Sequence, residues 1–284
     1  MEALDFQKEK EYLICIDSDG CAMNTMNSKH FECFGPEWVK QFGLEAVKEE
    51  ALNYWNRVNL FTRTRGINRF KGLAKGLEWA AEKGYETEGL EEFTRWTKET
   101  KELSNPALLA ECQKKKNPCM EDALLWSIHV NLAIRMMKKE EGPFEHVREV
   151  MEELSREADL AAVSSANGQA VEEEWSKYGL KSSCKVLLSQ EAGTKAECIR
   201  KLLEKGYDRK RTIMVGDALG DYEAAVKNHV WFYPIVVNRE GESWRKLRDE
   251  AYPRLREGDF TQDYQEELLA EFERALDGGE TITF

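Results

Sequence analysis

The chain has 284 residues, 42% hydrophobic and 33% charged, a globular composition with room for one large domain or two modest ones. A formal net charge of −12 argues against nucleic acid or anionic membrane as the main partner, since both need a basic surface. Seven cysteines, odd in number and without a CxxC pair, argue against a disulfide frame or zinc site and for reduced thiols in a cytoplasmic protein.

The opening segment, MEALDFQKEKEY, lacks the apolar stretch of a signal peptide, and no run in the chain nears the ~18 apolar residues of a membrane span. Tyr12 to Ile16 then reads as a buried strand. Asp17 and Asp19 follow where it runs out, with Gly20 behind them. Carboxylates that close repel unless they share a cation. An ordinary turn also explains an Asp-Gly pair, so the rest of the chain must decide.

From there to about Glu141 the texture is helical: AVKEEALNYWNRVNLF, FKGLAKGLEWAAEKG, LEEFTRWTKETKEL, NPALLAECQKK and CMEDALLWSIHVNLAIRMMKKEEG. Apolar residues recur at helical spacing, and Gly84, Pro106 and Pro118 punctuate the runs. Trp55, Trp79, Trp96 and Trp126 fall within them and are expected in a core. Between Asn59 and Leu73, Arg63, Arg65, Arg69 and Lys71 gather around Gly66. In an acidic chain that cluster is either a solvated helix start or a place to hold an anion, which arginine grips bidentately.

Near Gly142-Pro143 the pattern changes. Helix (FEHVREVMEELSREA), strand (DLAAVSS), helix (AVEEEWSKYGL), strand (CKVLLS), helix (KAECIRKLLEKG), strand (RTIMVGD), helix (YEAAVKNH) and strand (VWFYPIVV) alternate. That alternation predicts parallel βαβ units. Right-handed crossovers then align the strand C-termini along one edge, where ligands bind at the point of order reversal. The tail from about Asn238 is charged and mostly helical.

Distinctive polar residues stand at four successive strand ends. Asp17 and Asp19 follow the first strand, Ser164 and Ser165 close the second, Lys195 starts the helix after the third, and Asp217 and Asp221 follow the fourth. Gathered on one edge, they suit a phosphoryl group and a divalent metal. Hard Mg²⁺ takes carboxylate and phosphate oxygens. A lysine and a hydroxyl balance the remaining phosphate charge, and a carboxylate can attack phosphorus. Each alone has a plain explanation, such as a turn, a strand-end serine or an acid favoured by a helix dipole. Coincidence does not explain the four in this order.

IDSDG, AAVSSAN, GTKAECI and MVGDALGD resemble the four motifs of the haloacid dehalogenase (HAD) superfamily, in its capped phosphatase and phosphoglucomutase-like branch. The resemblance covers nearly the whole chain, least so the tail. It implies an α/β fold with a HAD-like Rossmannoid parallel-sheet core and an inserted all-helical cap domain. The core would comprise residues 1–27 and 142–284, with a helical extension from about 238, and the cap residues 28–141. It further implies Asp17 as nucleophile and Asp19 as general acid/base, with the Asp19 backbone carbonyl on the metal. Ser164 would bind phosphate, and Lys195 would bridge nucleophile and phosphate. Asp217 would ligate Mg²⁺ directly, with Asp221 a second, water-mediated contact. Ser165, Asn167, Arg65 and Arg69 are the expected substrate contacts. Dehalogenases lack the second acid, so Asp19 favours phosphate esters. The implied activity is Mg²⁺-dependent hydrolysis of a small phosphorylated metabolite through an aspartyl-phosphate. A phosphomutase, a phosphonatase and a catalytically silent binding protein are the alternatives, and both monomer and homodimer are compatible.

Overall fold

A computed structural model describes residues 6–137 and 141–277. Regular structure opens with β1 (Tyr12–Ile16). Next come α1 (Met26–Lys29), a π-helical turn over His30–Phe34 and α2 (Gly35–Gln41). Then follow α3 (Lys48–Leu60), α4 (Arg69–Glu82), α5 (Leu90–Glu99), α6 (Asn105–Lys114) and α7 (Pro118–Met136). From α8 (Val147–Leu154) onward strands return: β2 (Ala158–Val163), α9 (Gly168–Lys177), β3 (Cys184–Leu188), α10 (Lys195–Leu203), β4 (Thr212–Gly216), α11 (Leu219–Asn228) and β5 (Trp231–Pro234). Three helices close the chain: α12 (Glu240–Lys246), α13 (Tyr252–Glu257) and α14 (Gln262–Asp277). None of the described helices is long and apolar enough to cross a membrane.

The chain divides into two compact units, one containing the segment up to Met26 and that from Glu141, the other starting at Asn27 and lying between them. The first holds the sheet, with strand order β3-β2-β1-β4-β5 and every pair parallel. Strand periodicity sends alternate side chains to opposite faces. Ile14 and Ile16 of β1 enter one core with Val150 and Met151 of α8, while Leu13 and Cys15 enter another with Ile199 and Leu202 of α10. Both faces are thus buried, as parallel sheets require. Order reverses between β1 and β4, so the switch point lies where Asp17 and Asp217 emerge.

At the outer edge, α14 covers β5. The Phe232 backbone N–H donates to Gln265 Oε1 at 2.8 Å, and the Phe232 and Phe272 rings meet edge to face.

The second unit is entirely helical among its described residues, around a core containing Trp38, Trp55, Trp96 and Trp126. The tryptophans expected inside are there, with Trp79 packed partly buried against the same core. Local signals start these helices: Asn68, Ser104 and Asn117 each accept a backbone N–H of the first turn of α4, α6 and α7.

The helical texture read up to about Glu141 takes in α1 and α2, where Pro36 occupies the first turn and its missing N–H costs nothing. Three boundaries differ from expectation. α8 starts at Val147 rather than Phe144, since His146 takes a left-handed conformation (φ 68°). β5 stops at Pro234, which has no N–H to continue a ladder, though Ile235 N–H still reaches the Gly216 carbonyl at 2.8 Å. The helix expected to run to Gly142 ends at Met136, and residues 138–140 of that run lie outside the described residues.

Candidate active site

Asp17 continues β1, its N–H donating to the Val215 carbonyl of β4 at 3.0 Å. The chain then wraps on itself. The Ser18 carbonyl accepts N–H groups from Cys21, Ala22 and Met23, and Gly20 N–H reaches the Met23 carbonyl at 2.9 Å. Gly20 has φ 84°, which a side chain would resist, and this is why an Asp-Gly pair stands here. Two buried tryptophans pin the loop from outside. Trp175 of α9 donates its indole N–H to Ser18 Oγ at 2.9 Å, and Trp244 of α12 donates to the Cys21 carbonyl at 3.0 Å. Asp19 is half-buried, and its carboxylate accepts the Thr25 hydroxyl.

Lys195 projects from the first position of α10, whose start is fixed by a capping box between Thr194 and Glu197. Its Nζ lies 2.9 Å from Asp17 Oδ1 and 2.5 Å from Asp221 Oδ1. Asp221 sits in the first turn of α11 and is fully buried, its Oδ2 accepting the Ala218 N–H at 3.1 Å. Gly216 makes this possible, since a Cβ there would stand 2.3 Å from the Asp221 carboxyl carbon. Asp17, Asp217 and Asp221 each offer a carboxylate oxygen, and the three oxygens lie within 4.8 Å of one another. Burial pushes the Asp17 carboxyl up to about 7; Lys195 counters this and Asp217 adds to it. Burial raises Asp221 too, again against the pull of Lys195. For Lys195, burial would lower the ammonium's pKa, but Asp17 and Asp221 together outweigh it and hold the group charged. Three acids against one ammonium leave a buried excess of negative charge. Their hard oxygen donors fit a divalent cation of the magnesium type. Asp19 stands outside this trio; the metal contact expected from it is its backbone carbonyl.

Ser164 is buried at the end of β2, its N–H bonded to the Leu188 carbonyl at 2.8 Å. By register it lies one step past the residue level with Asp17. Its Oγ accepts the Ala166 N–H at 3.1 Å, which leaves the hydroxyl hydrogen free to donate elsewhere. Ser165 is exposed. Asn167 has both ends of its amide in use. The oxygen caps α9 through Gln169 and Ala170, and the nitrogen donates to Glu191 at 3.0 Å. Glu191 also takes the Gly168 N–H at 3.0 Å. Asn167, an expected substrate contact, is exposed and caps α9.

The helical unit holds the other two expected contacts. Arg65 is buried, its guanidinium donating to the Leu60 carbonyl at 2.7 Å, so it closes its own loop at the end of α3. Arg69 differs. Its Nη1 donates to Asn131 Oδ1 at 2.7 Å and Ser127 Oγ at 3.0 Å, and the guanidinium lies 5.0 Å from the Phe34 ring centre. These partners are neutral, and desolvation lowers its pKa to about 10.

Sequence reasoning missed Thr25, Trp175, Trp244 and Glu191. Thr25 and Glu191 stand near motifs, and nothing in their spacing marks them. The seven cysteines are free thiols, and burial raises that of Cys21 beside the acids.

The family model described as haloacid dehalogenase-like hydrolase matches residues 91–233, half of the chain, and takes in Ser164, Lys195, Asp217 and Asp221. Among solved structures, a haloacid dehalogenase-like family hydrolase from Streptococcus pneumoniae is 14% identical, covering 82% of this chain and 90% of its own, with a TM-score of 0.52. A proposed phosphoglycolate phosphatase from Lactobacillus delbrueckii is also 14% identical, covering 92% of this chain and 99% of its own, with a TM-score of 0.50. At this identity the likeness is one of fold. No curated protein matches the chain.

Proposed function

The chain belongs to the haloacid dehalogenase-like hydrolase family, and from that premise we propose that it is a Mg²⁺-dependent phosphatase of a small phosphorylated metabolite. One observation carries this reading. A buried carboxylate neutralised by a lysine, Asp17, is followed two residues on by a second carboxylate held separately by Thr25. Displacing halide needs no acid, whereas expelling an alkoxide does.

In this reading an Asp17 oxygen attacks phosphorus and the ester P–O bond breaks. The leaving oxygen takes the proton carried by Asp19, giving an alcohol and an acyl phosphate on Asp17. Asp19, now a carboxylate, takes a proton from water, whose oxygen attacks phosphorus, releases inorganic phosphate and restores Asp17. Lys195 holds Asp17 in place and balances phosphoryl charge, to which the Ser164 hydroxyl donates. Asp17, Asp217 and Asp221 would hold the cation, joined by the Asp19 carbonyl. When bound, the cation supplies positive charge that lets a carboxylate and a phosphate approach. The helical unit is read as a cap domain over residues 28–141, with residues 1–27 and 142–284 as core. Arg69, desolvated among neutral partners, is assigned to a second anionic group of the substrate.

The test is a panel of phosphorylated metabolites assayed for inorganic phosphate with Mg²⁺, phosphoglycolate among them because of the Lactobacillus structure's description. Release by the wild type and none by Asp17→Asn is the expected result. Isomerisation without phosphate release would replace the phosphatase with a mutase. No turnover of any ester would reject the enzyme reading.

A further inference from the structure

Helix α7 is apolar on two faces. One is filled: Cys119, Met120, Ala123, Trp126 and Val130 lie buried in the core of the helical unit. On the other, Leu125, Ile128, Leu132 and Met136 are 46, 47, 54 and 71% exposed. Apolar stripes on two faces of one helix call for cover on both.

The exposed face has an internal order. Glu121, Leu125, Ile128, Leu132 and Arg135 follow one another at spacings of four, three, four and three, the seam of a helix pair. The seam is also symmetric in its chemistry about Ile128. A leucine lies to each side, and beyond them Glu121 and Arg135 stand seven residues away in opposite directions. Both terminal residues are exposed, the acid in the first turn and the base in the last. From Glu121 to Arg135 the seam spans about 21 Å at the ordinary helical rise.

We infer that this face binds a second copy of the chain, the two α7 helices pairing antiparallel about a two-fold axis at Ile128. In that register each Ile128 meets its own counterpart, and Leu125 meets the partner's Leu132. Glu121 meets the partner's Arg135 at both ends, and the helix dipoles oppose. A self-complementary patch of this kind is what a two-fold interface demands. Parallel pairing would set Glu121 against Glu121 and Arg135 against Arg135, so the charges choose the direction as well as the partner. One helix pair buries less than the ~1,200–2,000 Å² of a standard interface, the size range of weak and transient associations.

Sedimentation velocity of the full chain, from micromolar to submillimolar, tests this. The expected mass rises from 32.8 kDa towards twice that value. Ile128→Glu, at an exposed position, sets two like charges on the axis; the variant keeps its circular dichroism and stays monomeric throughout. Glu121→Arg alone and Arg135→Glu alone each weaken the dimer, and the double reversal restores it. A wild type that stays monomeric at the highest concentration overturns the proposal. So does a dimer that survives Ile128→Glu. A double reversal that fails to restore association overturns the antiparallel register.

Discussion

Asp17 is the residue on which the site turns, and its protonation sets a testable sign. Unfolded, its carboxyl would titrate near 3.8; in the metal-free fold it holds its proton to about 7. A raised folded pKa gives stability that is complete below the unfolded value and is lost as pH rises through the folded one. Metal-free wild type should therefore lose melting temperature relative to Asp17→Asn between about pH 4 and about pH 8, the amide having no proton to release. Mg²⁺ should raise the wild-type melting temperature more at the upper end, where the carboxylates are ionised. Differential scanning fluorimetry of both proteins, with and without Mg²⁺, measures this; parallel profiles for the two would sink it. The acids were legible in the sequence because residue type and strand position coincide there. What holds them was not. Trp175 and Trp244 grip the Asp17 loop from 157 and 223 residues away, a distance no local pattern spans. Nor could sequence tell that Arg65 would bind the Leu60 carbonyl or that Asn167 would cap α9.

Among elements, α12 does more than pack. It lies after the last strand, yet its Trp244 reaches the Cys21 carbonyl in the loop that follows Asp17. Trp244→Phe keeps an aromatic ring in the buried slot and removes the N–H together with part of the indole. A neutral hydrogen bond contributes about 1 kcal/mol, so a loss of up to about tenfold in kcat is expected. KM should stay constant, because substrate binding does not depend on that bond. Trp175→Phe, which frees Ser18, should act the same way. Steady-state kinetics on the best ester of the panel reads both; a raised KM with unchanged kcat would mean that the loop is not what these indoles position. The strands themselves were readable, since five short apolar runs separated by amphipathic helices admit little besides a parallel sheet. The ends were less so. A backbone angle at His146 and a missing donor at Pro234 set boundaries that hydrophobic periodicity does not encode.

For the molecule as a whole, two separate sets of cores predict two unfolding steps. The helical unit gathers Trp38, Trp55, Trp79, Trp96 and Trp126 around one core, while the sheet unit packs its own on both faces. Calorimetry should resolve two transitions, with Mg²⁺ moving only the one that belongs to the sheet unit, because the three clustered aspartates all lie there. A single transition shifted as a block would show that the units unfold cooperatively. The seal that α14 sets on β5 carries a consequence for shortened chains. Protein made without Gln265 and the residues beyond it would bare the Phe232 N–H and an unprotected β ladder. Such a border recruits stray strands from neighbouring molecules, so the truncated product should precipitate during expression instead of accumulating as a soluble fragment.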